Sequence, residues 1–186
     1  MKHVFISCGY ALAGLGAVGW IAIILTGIMF AGPTDSVLTD FFAETIIIAE
    51  RLETFDVDFT YVADDLFSLV AQMNLSLLII TSLIALGWSA GSHYLNIDSP
   101  GKAKIYFIHW IILTAIFIAI VFGIVIFFTQ SSTFESAQFI GTGGTVIITI
   151  ASLIYYFLMY YVGVILGTAR FARSSVLLAN KLPGNL

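Results

Sequence analysis

The chain has 186 residues, 60% of them hydrophobic and only 10% charged, with a mean hydropathy of +1.04 and a formal charge of −4. Soluble domains carry roughly 25% charged residues, so this composition excludes a water-soluble globular fold and implies an integral membrane protein. One cysteine, Cys8, excludes an intramolecular disulfide and reads as a small packing residue.

The charges are segregated along the chain. Lys2, then Lys102 and Lys104, then Arg170, Arg173 and Lys181 form three basic stretches. Asp35, Asp40, Glu44, Glu50, Glu53, Asp56, Asp58, Asp64 and Asp65 fill one acidic stretch and Glu135 marks another, with only Arg51 and Asp98 breaking the alternation. Four apolar runs separate these stretches. The positive-inside rule then predicts four crossings with both termini cytoplasmic and the acid-rich segment outside. The expected fold is all-α, a polytopic integral membrane protein in a plasma or bacterial inner membrane. It forms a single membrane domain over residues 1–186.

Span one is expected at about 4–31. Its apolar run is longer than the roughly 7–15 residues of a signal-peptide core, so it reads as a retained span. Gly9, Ala13 and Ala17 recur at intervals of four, the spacing that lets a neighbouring helix approach closely in lipid. Gly32-Pro33 ends the span.

Residues 34–70 are the sizeable extramembrane insertion. Leu38, Phe41, Phe42, Thr45, Ala49, Leu52 and Phe55 recur at spacings of three and four opposite Asp40, Glu44, Glu50, Arg51 and Glu53, which predicts an amphipathic helix with a break near Asp56-Val57-Asp58. Its apolar face calls for a protein partner, since its acidic face disfavours anionic lipid. The outer carboxylates read as a solvated acidic loop, because their spacing fits no calcium-binding loop.

Span two is expected at about 70–92, with a helical extension on its outer side, followed by a cytoplasmic loop over 93–104 that turns at Asn96-Ile97-Asp98-Ser99-Pro100-Gly101. Span three, about 105–129, is the most apolar: seventeen residues from Ile105 to Phe128 are Ile, Leu, Val or Phe. It is expected to face lipid more than the others, with Ala115, Ala119 and Gly123 as its protein-facing seam. Span four, about 139–168, is about 45 Å long as a helix against a hydrocarbon core of ~30 Å, so it must tilt or project. Arg170 and Arg173 are expected to carry that helix into the cytoplasmic interface, ahead of a tail over 169–186.

The strongest internal pattern lies in span four, where Thr142, Thr145, Thr149, Ser152, Tyr156, Tyr160, Gly163 and Gly167 follow at steps of three or four. Such a face is either a helix–helix seam with hydroxyls bonding across helices or to their own carbonyls, or the wall of a polar conduit. No Asp, Glu, Lys or Arg lies within the four apolar runs, which disfavours proton- or ion-coupled transport. His93 and His109 fall near the cytoplasmic interface beside Tyr94, Tyr106 and Trp110, as members of an aromatic belt or, alternatively, as an interfacial histidine site of a small membrane enzyme or redox subunit. Gly141-Thr142-Gly143-Gly144-Thr145 lacks the Lys-Ser/Thr of a phosphate loop and reads as a flexible or closely packed helix start. No hydrolase or metal-ligand motif is present.

These observations point to a self-associating, non-enzymatic protein that needs no cofactor, metal or nucleic acid. It is expected to act as an oligomeric channel or as the membrane-embedded structural subunit of a larger complex. Besides the lipid bilayer, its expected partners are copies of itself or other membrane subunits, met through span one and the outer helix over 34–55.

Overall fold

A chain this apolar must satisfy its own backbone groups, since no water is available in hydrocarbon, and α-helices do so within one segment. The computed structural model describes residues 2–31, 46–48, 53, 59–94, 100–131, 133–169, 172 and 175–178. Among them the fold is all-α: α1 is Lys2–Ala31, α2 Phe59–Gly91, α3 Pro100–Gln130 and α4 Thr142–Gly167, with a 3₁₀ turn at Glu135–Phe139 before α4. Each helix contains a stretch long and apolar enough to cross a membrane, namely Lys2–Ile21, Asp65–Gly91, Lys104–Gln130 and Thr142–Gly167. Pro100 opens α3, where its missing N–H leaves no gap in the helix.

Inward faces are chosen by packing, because residues on both sides of these helices are apolar. On α2 the buried series includes Leu66, Met73, Leu77, Thr81, Ala85 and Trp88, whereas Leu75, Ile79 and Leu83 are exposed. On α3 only 17% of the apolar window is buried, against 39% for α2 and for α4. Among the described residues, those buried on α3 are Tyr106, Trp110, Phe117, Val121, Val125, Phe128 and Thr129. Ala115, Ala119 and Gly123, expected to form the protein-facing seam, are exposed instead. Large side chains fill the space toward the neighbouring helices, and a small-residue seam is needed only where backbones come close.

The chain divides into two compact units. The first comprises Met1–Trp20, Leu78–Ile120 and Tyr155–Leu186. Here α1 and α4 meet closely: a Cβ on Gly163 would stand 2.9 Å from Leu15, and one on Gly167 would stand 2.8 Å from Ala11 Cβ. Tyr155 donates its hydroxyl to the Val18 carbonyl at 2.5 Å, and Phe117 of α3 stacks on Tyr160 of α4 at 4.5 Å.

The second unit comprises Ile21–Leu77 and Val121–Ile154. Ile47 pairs antiparallel with Ile140 in an isolated bridge, with Ile48 N–H donating to Phe139 carbonyl and Gly141 N–H to Ile46 carbonyl, both at 3.0 Å. The amphipathic helix expected over 34–55 therefore does not run through Ile46–Ile48, and its other residues lie outside the described ones except Glu53, which is helical. Three consecutive β-branched residues favour extended backbone, and the bridge supplies their hydrogen bonds. Gly144 makes room for it, since a Cβ there would stand 2.8 Å from the Ile46 carbonyl oxygen. The expected break near Asp56-Val57-Asp58 lies outside the described residues, as do residues 96–99 of the expected turn over 96–101, whereas its Pro100 and Gly101 already belong to α3, which thus starts within the loop expected over 93–104.

At its other end α4 stops at Gly167. The expected continuation toward Arg170 and Arg173 does not occur: Ala169 N–H donates to Ser92 Oγ at 3.0 Å instead of to its own helix. Ala172, Ser175 and Val176 are buried beyond that point.

Candidate functional site

Within α4, the face bearing the hydroxyl stripe turns into the protein. Thr145, Thr149, Ser152, Tyr156 and Tyr160 are buried, as are Gly163 and Gly167, whereas Thr142 at the start of the helix is exposed. The hydroxyls have local uses. Thr149 donates to the Thr145 carbonyl at 2.7 Å, and Thr145 accepts from Gln130 Nε2 at 2.9 Å. The Tyr160 hydroxyl lies 3.2 Å from Thr114 Oγ1, which itself donates to the Trp110 carbonyl. A back-bond to the preceding turn satisfies a Thr hydroxyl without a partner helix.

Of the small residues, those singled out on α1 point outward. Gly9, Ala13 and Ala17 are exposed, and a Cβ on Gly9 or on the neighbouring Gly16 would meet nothing within 4 Å. The close approaches inside the chain use a different set, Gly14 and Gly19, whose Cβ positions fall 2.6 Å from Leu166 Cδ1 and 3.3 Å from Leu78 Cδ1. Two glycine faces thus share one helix, one filled by this chain and one open.

A knot of polar side chains closes the C-terminal end of α2 against the end of α4. Trp88 Nε1 donates to Thr168 Oγ1 at 3.0 Å, and Thr168 in turn donates to the Val164 carbonyl. Ser89 donates to the Ala85 carbonyl, and Ser92 donates to the Ser89 carbonyl while accepting from Ala169 N–H. Every hydroxyl in the knot is occupied, which is what burial in a water-free interior requires. From the sequence, Asn74, Thr81, Ser89 and Ser92 are possible partners of the span-four hydroxyl stripe; Ser92 instead takes the Ala169 N–H at the end of α4, and the Trp88–Thr168 pair has no sequence signal of its own.

The histidines take separate partners. His93, past the end of α2, places Nε2 2.6 Å from Ser7 Oγ on α1, whereas exposed His109 turns Nδ1 back to the Ile105 carbonyl at 2.7 Å. Among the described residues, no three His, Cys, Asp or Glu side chains gather into a metal-binding group. Burial, and secondarily the charge of His3, push the His93 imidazole below its ordinary pKa of 6.5. The unfolded chain then binds that proton near pH 6.5 and the folded chain only at lower pH. The resulting stabilisation is whole above about pH 6.5 and is lost as pH falls through the interval below it. Melting measured from pH 7.5 down to 5.5 is expected to decline in the wild type and to decline less in His93→Gln; parallel curves count against the assignment.

Two buried polar atoms among the described residues have no partner, Thr81 Oγ1 and Trp110 Nε1. The indole N–H approaches the Tyr160 hydroxyl without reaching hydrogen-bonding geometry.

No protein-family description, curated protein or solved structure matches this chain.

Proposed function

We propose that this protein is a self-associating, non-enzymatic membrane protein that serves as the membrane-embedded structural subunit of an assembly. The open face of α1 carries this reading: Gly9, Ala13, Gly16 and Ala17 are exposed on a membrane-length helix. In lipid, where apolar surface gains nothing by leaving its solvent, small residues at this spacing favour association by letting two backbones approach. Ala115, Ala119 and Gly123 on α3 offer a second exposed small-residue row. The burial of the α4 stripe supports a structural subunit over a channel, since a conduit needs those hydroxyls facing water.

Because the Gly9 and Ala13 side chains meet open space, enlarging them tests assembly without disturbing the fold. Gly9→Leu with Ala13→Leu is expected to shift the particle to a smaller species in mild detergent, at unchanged melting temperature. Leu83→Ala, on an exposed face of α2, is expected to leave its size unchanged. A wild-type protein that is already monomeric at all concentrations removes the reading.

The same proposal sets both termini in the cytoplasm and the acid-rich segment outside, in a plasma or bacterial inner membrane, on the charge segregation described above. In a Cys8→Ala background, a cysteine at position 50 is expected to react with an impermeant maleimide in intact cells, and a cysteine at position 102 only after the cells are permeabilised. The opposite pattern inverts the topology.

A further inference from the structure

We propose that a recess beside the 3₁₀ turn binds a small organic primary ammonium ion, with Glu135 as its counter-charge. The recess has a volume of about 420 Å³ and is lined by the end of α3, the 3₁₀ turn, the start of α4 and the Ile47–Ile140 bridge, with Gln130, Ser131, Glu135, Gln138 and Thr142 as its polar walls. Among the described residues that line it, Glu135 is the sole charge and none is Lys, Arg or His. Each of the five polar side chains carries an oxygen that can accept a hydrogen bond, and the four neutral ones can also donate. An ammonium group presents three donors and no acceptor, so the carboxylate and these oxygens can serve it together. Its contact with a carboxylate is a charge-assisted hydrogen bond, about twice as strong as a neutral one.

The site is held in shape before any ligand arrives. Gln130 commits its Nε2 to Thr145 Oγ1 at 2.9 Å, which fixes the amide and leaves its oxygen as the acceptor. Ser131 is tied to Thr133 on both sides, donating to Thr133 Oγ1 at 2.9 Å and accepting from its backbone N–H at 3.3 Å. Phe134 stacks on Phe128 at 5.0 Å. Ile48 and Ile140, on the opposite wall, are fixed by the bridge hydrogen bonds. Ordered walls reduce the entropy lost on binding.

Size and charge disfavour the other ligand classes. Among the described lining residues an anion finds no cationic side chain. A hard divalent ion wants six to eight oxygens with several carboxylates, and the described lining offers one. A bare monovalent ion leaves most of 420 Å³ unfilled, so an organic body must accompany the charge.

The probe is 5-amino-1-pentanol, with 1,5-pentanediol as its neutral counterpart, titrated by calorimetry into the purified full-length protein in an uncharged detergent at pH 7 and low salt. The amine is expected to bind with a dissociation constant of about 1 mM and the diol at least about tenfold more weakly. Glu135→Gln, at an exposed position, is expected to weaken amine binding at least about tenfold with melting unchanged, and Glu135→Asp to restore part of it. Three results overturn the proposal: no heat from the amine up to about 10 mM, equal binding of amine and diol, or equal amine binding by wild type and Glu135→Gln. None of these depends on whether the protein self-associates.

Discussion

Gly167→Ala is expected to destabilise the protein by about 3 kcal/mol, the upper part of the range for overpacking, measured by unfolding in a denaturing detergent. A Cβ at position 167 would fall 1.9 Å from Ser89 Oγ, 2.8 Å from Ser89 Cβ and 2.8 Å from Ala11 Cβ. The hydroxyl can rotate away, at the loss of its bond to the Ala85 carbonyl. The two Cβ atoms cannot, because they move only with the backbones of α2 and α1. Ser89→Gly combined with Gly167→Ala removes two of the three clashes and is expected to recover part of the loss, giving a coupling of about 1 kcal/mol or more in a double-mutant cycle. Gly14→Ala is the contrasting case. Its nearest neighbour at 2.6 Å is the tip of a leucine side chain, Leu166 Cδ1, which can adopt another rotamer, so a smaller effect is expected. An equal cost at both glycines, or no coupling at Ser89, removes the argument.

Tyr160→Ala is expected to cost about 3–5 kcal/mol, as for large aromatic truncations in packed cores. Tyr160 is wholly buried and stacks on Phe117, itself 1% exposed. In hydrocarbon, moving an apolar ring out of the protein loses little transfer energy, so the cost comes from lost dispersion contacts around an empty cavity. Tyr160→Phe separates the ring from its hydroxyl. Thr114 keeps its bond to the Trp110 carbonyl, so a loss of only about 0.5–1.5 kcal/mol is expected for the single hydrogen bond. If the phenylalanine variant is as unstable as the alanine variant, the hydroxyl and not the stacked ring holds this part of the core.

The sequence was most legible where one physical rule acted alone. Four helices were expected because only an apolar stretch of some twenty residues can cross hydrocarbon as a helix, and each expected run overlaps one long helix, although the run over 139–168 outreaches α4 at both ends and the run over 70–92 ends one residue past α2. Helix faces were less legible. Ala115, Ala119 and Gly123 and their lipid-facing neighbours differ little in polarity, so no hydropathy signal says which side turns inward, and Trp110, Phe117 and Phe128 took the inner face by filling space. Ile46–Ile48 was read within a helical periodicity, although its run of β-branched residues was a local signal for extended backbone; its partner Ile140 is distant in sequence and had no signal of its own. The end of α4 was hidden similarly, since a bond from Ala169 to Ser92 on another helix competes with continuation. In the candidate recess, Glu135 was noted only as a charge, because Gln130, Ser131 and Gln138 become a common wall only after α3 ends and the chain turns.

The bridge between Ile47 and Ile140 also orders events in time. Its halves are separated by α2 and α3, so a chain delivered to the membrane from its N-terminus holds Ile46–Ile48 ready long before Ile140 appears. Until then the Ile46 carbonyl and the Ile48 N–H have only water or a temporary partner. Pairing becomes possible only once the start of α4 has been made, with Gly144 giving it room against Ile46, so this small backbone contact can form only after both α2 and α3 have been synthesised.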